Sequence, residues 1–390
     1  MPDPAVWRVT GSPLVAGEPG GPLAGVRVAV KDLFAMRGHR IGAGVPRYLA
    51  DAEAEDRTAP AVSALLAAGA DVVGIAQTDE FAYSIAGANP HSGTPPNAPV
   101  PGALPGGSSS GPASAVALRE ADVGLATDTG GSIRVPASYQ GLWGLRTTHG
   151  RVPRDGLLAL APSFDTVGWL TRDAATLAAA WSATRPVAVG EDVAVAPALA
   201  VDAAVLGRLD EPVAAALRSA VDRLAAAGRP VEQVDLGDLD RLAAAFRTVQ
   251  AFEAWQVHGP WLLAHPDAVS GAVEERFRIA QAVSEAEADA ARSALAAAAD
   301  RLRALLEQRT LLLPAAGTPA PSRAATASEI DRVRAATMRL TCVAGAAGAP
   351  GLSAPLLAVG GAPLGLGLVG RPGADAALIG LGERLAAILA

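Results

Sequence analysis

Along the first third of the chain, short apolar runs alternate with stretches of helical spacing. "GVRVAV", residues 25–30, is too short for a helix and rich in β-branched residues, and so predicts a strand. "APAVSALLAAGA", 59–70, carries apolar residues at helical intervals and meets a stop at Gly69, and "DVVGIA", 71–76, returns to strand character. Residues 84–112 are crowded with Gly, Pro, Ser and Asn and predict irregular backbone. "PASAVALREA" then reads as a small-residue helix, followed by "DVGLATDTGGSIRVPAS". From about 173 to 310 the pattern becomes Ala-rich and helical, as in "EPVAAALRSAVDRLAAAG", with Pro212 at its start and Gly228 at its stop. The run 273–309 reads as helical throughout. "TLLLPAAGTPAP" resumes strand and loop, and "GADAALIGLGERLAAIL" closes the sequence as a helix. No fixed-period repeat and no separating linker occurs. The expected organisation is one α/β domain over 1–390, with a helical insertion at about 173–310.

Composition narrows this picture. Half of the 390 residues are hydrophobic and 18% are charged, which is enough for a large core. The formal net charge of −7 leaves no footprint for nucleic acid or an anionic membrane. The first twenty residues lack the basic and apolar regions of a signal peptide, and one cysteine forms no intrachain disulfide, so a reducing cytoplasm is expected. Residues 341–370 carry no charge but are broken by three prolines, which predicts buried strands and loops of a soluble core, not a membrane span.

The candidate chemistry begins with one residue. Lysine and arginine together number 32, and Lys31 is the only lysine. A guanidinium stays protonated at any workable pH, whereas a buried amine can lose its proton and act as a base. "PGGSSSG", 105–111, is a linker or an anion-cradling turn by composition, but it runs directly into a helix pattern, and no Gly-Lys-Ser/Thr makes it a P-loop. "TDTGGSIRVPAS" offers Ser132 behind two glycines whose amides could approach a substrate oxygen. "GLGLVG", 365–370, matches a dinucleotide fingerprint without its strand–helix context and is a chance match. Cys342 sits in apolar sequence and reads as core; the five histidines lack metal-ligand spacing, and no G-x-S-x-G elbow occurs.

Taken together, "GVRVAVKDLF", "PGGSSSG" and "TDTGGSIRVPASYQGLWGLRTTHGRV" resemble, in order and spacing, the amidase signature family. The resemblance continues through "SFDTVGWLTRD" and returns in "LTCVAGAAGAPGLSAPL…GLGLVG". It implies a large mixed, twisted β-sheet covered by helices on both faces, and amide hydrolysis without a metal or organic cofactor. Residue by residue it implies Lys31 as base, Ser108 as a bridging serine after a cis peptide, and Ser132 as nucleophile. Thr129, Gly130, Gly131 and Ser132 then supply oxyanion-hole amides, and Ser109 supports the network. Three positions depart from the pattern: Pro112 after S-S-G, Gln140 for a common cysteine, and Arg146-Thr147 for Lys-Pro. Arg134 reads as a structural ion-pair partner and Asp128 as a turn former. "DEFAYSIAG" and "SFDTVGW" are nearest to indole-3-acetamide hydrolase-like members, which suggests aryl or arylalkyl amides. The alternatives are the glutaminase component of a tRNA-dependent amidotransferase and a catalytically silent binding module. The expected partner is a small-molecule amide, with no nucleic acid and no membrane, and a homodimer is left open.

Overall fold

The computed structural model describes residues 1–184 and 193–389. Its strands are β1 (Trp7–Val15), β2 (Arg27–Lys31), β3 (Asp71–Ala76), β4 (Val123–Asp128), β5 (Trp143–Arg146), β6 (Thr166–Thr171), β7 (Ala198–Asp202), β8 (Val231–Val234), β9 (Arg309–Pro314), β10 (Gly351–Val359) and β11 (Ala362–Val369). They form one mixed sheet in the order β1-β3-β2-β4-β6-β5-β10-β11-β9-β7-β8. β2 runs parallel to both β3 and β4, whereas β5, β6, β10 and β11 pair antiparallel with their neighbours.

Alternation along the central strands sorts the core into two layers. Successive strand residues point to opposite faces. Val28 and Val30 join one apolar cluster with Leu125, Leu145 and Trp169, under the helices Pro60–Ala67 and Ala174–Thr184. Ala29 joins the other with Ala76, Ala126 and Leu170, under the helices Ser110–Ala117 and Arg134–Tyr139. Helices therefore cover both faces. By the same alternation Lys31 lies on the Ala29 face, where the serine-rich segment arrives.

Several sequence expectations need correction. Residues 173–310 are not helical throughout, since β7 and β8 join the far end of the sheet. Both are short and set in alanine-rich sequence, where helix and strand periods are hard to separate. The run 273–309 breaks into helices Gly271–Ala282 and Glu285–Gln308, because Ser284 and Glu287 form a capping box that starts a new helix. Residues 341–347 complete the helix Ala327–Ala347, which ends at Gly348 in the left-handed conformation, before β10 and β11 take up the rest of the uncharged stretch. Among the described residues no helix is long and apolar enough to cross a membrane. "GLGLVG" lies largely in β11, where a Cβ on Gly365 would fall 2.2 Å from Ser353 Oγ, so close packing accounts for that glycine.

Candidate active site

β2, β3 and β4 run parallel, and their carboxyl ends deliver Lys31, Thr78 with Asp79, and Thr127 with Asp128 to one rim of the sheet. Carboxyl ends of parallel strands are where open α/β sheets assemble their sites. The segment before helix Ser110–Ala117 crosses this rim. Thr78 Oγ1 donates to Ser108 O at 2.9 Å, and the Ser109 N–H donates to Ser132 O at 3.3 Å. The Gly107–Ser108 peptide is cis, as the resemblance implies. A Cβ on Gly107 would lie 2.5 Å from Asp79 Oδ2 and 2.7 Å from the Gly87 nitrogen, so only glycine fits there.

Lys31 has no exposed surface. Its Nζ donates to Ser108 Oγ at 2.9 Å, Ser109 Oγ at 3.0 Å and Thr127 Oγ1 at 2.8 Å. Burial pulls the amine down from 10.5 to about 7, outweighing the upward pull of Asp79, Asp128 and Asp165. Neighbouring Asp32 turns away: it pairs with Arg8 at 2.8 Å and accepts the Gly42 N–H at 3.0 Å. No carboxylate therefore makes a direct ion pair with Lys31 among the described residues, which is why desolvation prevails.

The turn that carries Ser132 is built around Asp128. Its carboxylate accepts the Gly131 N–H at 2.9 Å and the Ile133 N–H at 3.1 Å. Arg134 reaches it at 2.8 and 3.0 Å, and Arg146 at 3.3 Å. Burial alone would raise this acid, but the Arg134 and Arg146 guanidiniums and the backbone amides hold it well below the usual carboxylate range. Arg134 also donates to Thr341 O at 2.9 Å, and Arg146 to Asp128 O at 2.6 Å and Thr129 O at 3.2 Å. The structural reading of Arg134 and the turn-forming reading of Asp128 both describe this geometry. Thr129 Oγ1 donates to Asp165 Oδ1 at 2.6 Å, and Thr341 Oγ1 to Gly130 O at 2.7 Å, which pins the two residues that open the turn.

The structure thus joins Lys31 to Ser108 and Ser109 side chain to side chain, and ties Ser132 to Ser109 through the backbone. It contains no hydrogen bond between the hydroxyls of Ser108 and Ser132; such contacts commonly close only with substrate bound. The Gly131 N–H is occupied by Asp128, whereas the N–H groups of Thr129, Gly130 and Ser132 have no acceptor among the described residues. Sequence reading missed Thr127, Asp79 and Asp165. Thr127 lies near the end of β4 and Asp79 just beyond β3, both parallel neighbours of β2, a register visible only once the sheet is assembled.

The departures from the family pattern find local reasons. Pro112 falls in the first turn of its helix, where a missing N–H costs nothing, and packs on Gly124. Gln140 Nε2 donates to Pro105 O at 3.2 Å and Ser114 Oγ at 3.3 Å, bracing the serine-rich segment. Cys342 is buried and its thiol pushed up to about 12 by burial, which suits a core residue.

Comparison with known proteins follows the same lines. The family model "Amidase" matches residues 12–192 and 198–379. Amidase 1 of Arabidopsis thaliana is 51% identical over 172 residues, 44% of this chain and 40% of that protein. The A component of the glutamyl-tRNA(Gln) amidotransferase of Ralstonia nicotianae is 40% identical over 196 residues, 50% of this chain and 39% of that protein. These matches thus span about two fifths of each relative's length. A crystal structure described as an amidase superposes with a TM-score of 0.85 at 32% identity, covering 95% of this chain and 86% of that one. With the family model matched from near one end to near the other, on a mixed sheet of eleven strands clothed by helices, the chain belongs to the amidase signature family.

Proposed function

We propose that the protein hydrolyses a small carboxamide to a carboxylate and ammonia or an amine, through an acyl-enzyme on Ser132. The observation that carries this reading is Lys31: a buried amine near neutrality, hydrogen-bonded to Ser108. A serine hydroxyl is a poor nucleophile until a base takes its proton. Neutral Lys31 accepts a proton from Ser108, and Ser108 accepts one from Ser132 as Ser132 Oγ bonds to the amide carbon. The carbonyl oxygen becomes an oxyanion facing the amides of Thr129, Gly130 and Ser132. Gly131 contributes by fixing the turn through Asp128. Ser108 returns the proton to the leaving nitrogen as the C–N bond breaks. Water, deprotonated through the same serine, then releases the acid and regenerates Ser132. Ser109 keeps Lys31 aimed, and the residues at about 173–310 shape the acyl pocket.

The reading needs one chain, no metal and no organic cofactor, and a cytoplasmic setting suits it. Its test is ammonia release by the purified chain from a panel of primary amides, including glutamine and indole-3-acetamide, with and without a chelator. Turnover that survives the chelator and disappears in Ser132→Ala supports it. Similarity to the A component of an amidotransferase favours a second reading, a glutaminase acting with a partner. Ammonia release from glutamine that appears only on adding such a partner selects that reading. No turnover of any amide under either condition removes both.

A further inference from the structure

Two helices wall the Gly130–Ser132 turn. Helix Leu239–Ala264 brings Phe246 beneath it, since a Cβ on Gly130 would lie 3.5 Å from Phe246 Cε1. Helix Ala327–Ala347 brings Met338, whose Cε would lie 3.0 Å from the same Cβ. One turn along the same two helices lies a cavity of about 390 Å³ with Tyr83, Arg247, Gln250, Arg276 and Arg334 in its wall. Arg334 precedes Met338 by four residues and Gln250 follows Phe246 by four, so each sits about 6 Å along its helix from the side chain that touches the turn. The third wall comes from helix Gly271–Ala282, which supplies Arg276.

Three guanidiniums thus share one cavity whose lining includes no carboxylate. Arg276 is the best compensated: it donates to Tyr83 O at 3.0 Å and lies 3.7 Å from Asp331, an acid that is itself mostly exposed. Arg247 makes no ion pair with any described residue. Arg334 Nε is buried without a hydrogen-bond partner. A guanidinium nitrogen withdrawn from water and left unpaired is costly unless something else fills its place.

We propose that this cavity receives a carboxylate of the substrate, so that the amide cleaved at Ser132 belongs to a molecule bearing an acid group a few carbon atoms away. Arginine's planar fork matches a carboxylate in two parallel hydrogen bonds, and a neutral analogue would leave such charge uncompensated. Burial and the like charges of Arg276 and Arg247 draw the Arg334 guanidinium down to about 10, against the smaller upward pull of Tyr83 and Asp331. Tyr83, from the segment "DEFAYSIAG", stands in the wall of the same cavity.

This inference rests on the amidase reading for the word substrate, but not for the anion site. Two measurements separate them. The monoamides of succinic, glutaric and adipic acid are compared with their methyl esters, and glutarate binding is followed by calorimetry independently of turnover. The wild type should prefer at least one acid over its ester by roughly ten- to a hundredfold in kcat/KM. Arg334→Met should collapse that preference, chiefly through KM, and weaken glutarate binding in parallel; Arg247→Met, at an exposed position, repeats the test should Arg334→Met fold poorly. Arg334→Lys should restore part of the preference. Glutarate binding that needs Arg334, in a protein that cleaves no amide, keeps the anion site and discards the hydrolase. Equal rates on acids and esters, or preferred turnover of indole-3-acetamide, with no glutarate binding, overturn the proposal.

Discussion

Replacing Lys31 with methionine removes the buried amine while keeping an unbranched side chain. The amine sits at about 7 against 10.5 for a free lysine, a difference of about 3.5 units, or roughly 5 kcal/mol between its protonation states. Below pH 7 the folded and unfolded chains both hold this proton, and the folded chain bears the full cost of burying a cation. Between pH 7 and 10.5 only the unfolded chain holds it, so stability rises with pH by about 1.4 kcal/mol per unit. Above 10.5 neither holds it and the cost is gone. Other groups titrate in this window, so the quantity to follow is wild type minus Lys31→Met, by urea unfolding at half-unit steps from pH 5.5 to 9.5. The difference should be level below pH 6.5 and move in favour of wild type by roughly 2 kcal/mol between pH 7 and 9. The three hydrogen bonds lost with the amine, about 1 kcal/mol each, displace the curve without changing its slope. A difference that stays level from pH 7 to 9.5 refutes a depressed Lys31.

Further outcomes follow from neighbouring residues. Asp128→Asn leaves the buried Arg134 and Arg146 without their carboxylate and should destabilise the fold by about 3–5 kcal/mol in urea or heat; a loss below about 1 kcal/mol contradicts the role given to Asp128. Gly107→Ala places a methyl where Asp79 sits and should cost about 1–3 kcal/mol together with turnover, whereas an equally stable and active variant means that the serine segment yields. Ser109→Ala removes one of three acceptors of Lys31 and should slow turnover while leaving it measurable, unlike Ser132→Ala; equal losses would make Ser109 indispensable.

Much of this was legible in the chain. β2 and β3 stand out because short apolar runs end in turn residues, and the helix Glu211–Ala226 because Pro212 and Gly228 bracket it. Lys31 announced itself by being alone in an arginine-rich sequence, and the two serine segments by their spacing from it. The break at Ser284 was also written there, in a Ser-x-x-Glu signature set inside an otherwise continuous helical pattern. What the sequence withheld depends on contacts between distant segments. Thr127, Asp79 and the fourfold use of Asp128 become visible only when parallel strands bring residues 31, 79 and 128 to one rim. The arginine cavity draws Arg247, Arg276 and Arg334 from three helices, and no local pattern predicts that they face one another.

The central claim is that neutral Lys31 activates Ser132, and the rate at which a fluorophosphonate labels Ser132 tests it without knowledge of the substrate. Peptide mapping by mass spectrometry should place the adduct on Ser132. The labelling rate of the wild type should climb with an apparent pKa of about 7 and then level off. Lys31→Arg stays protonated and so accepts no proton from Ser108, and it should label slower by several orders of magnitude at every pH. Labelling of Ser132 in Lys31→Arg at a rate near that of wild type would contradict the account.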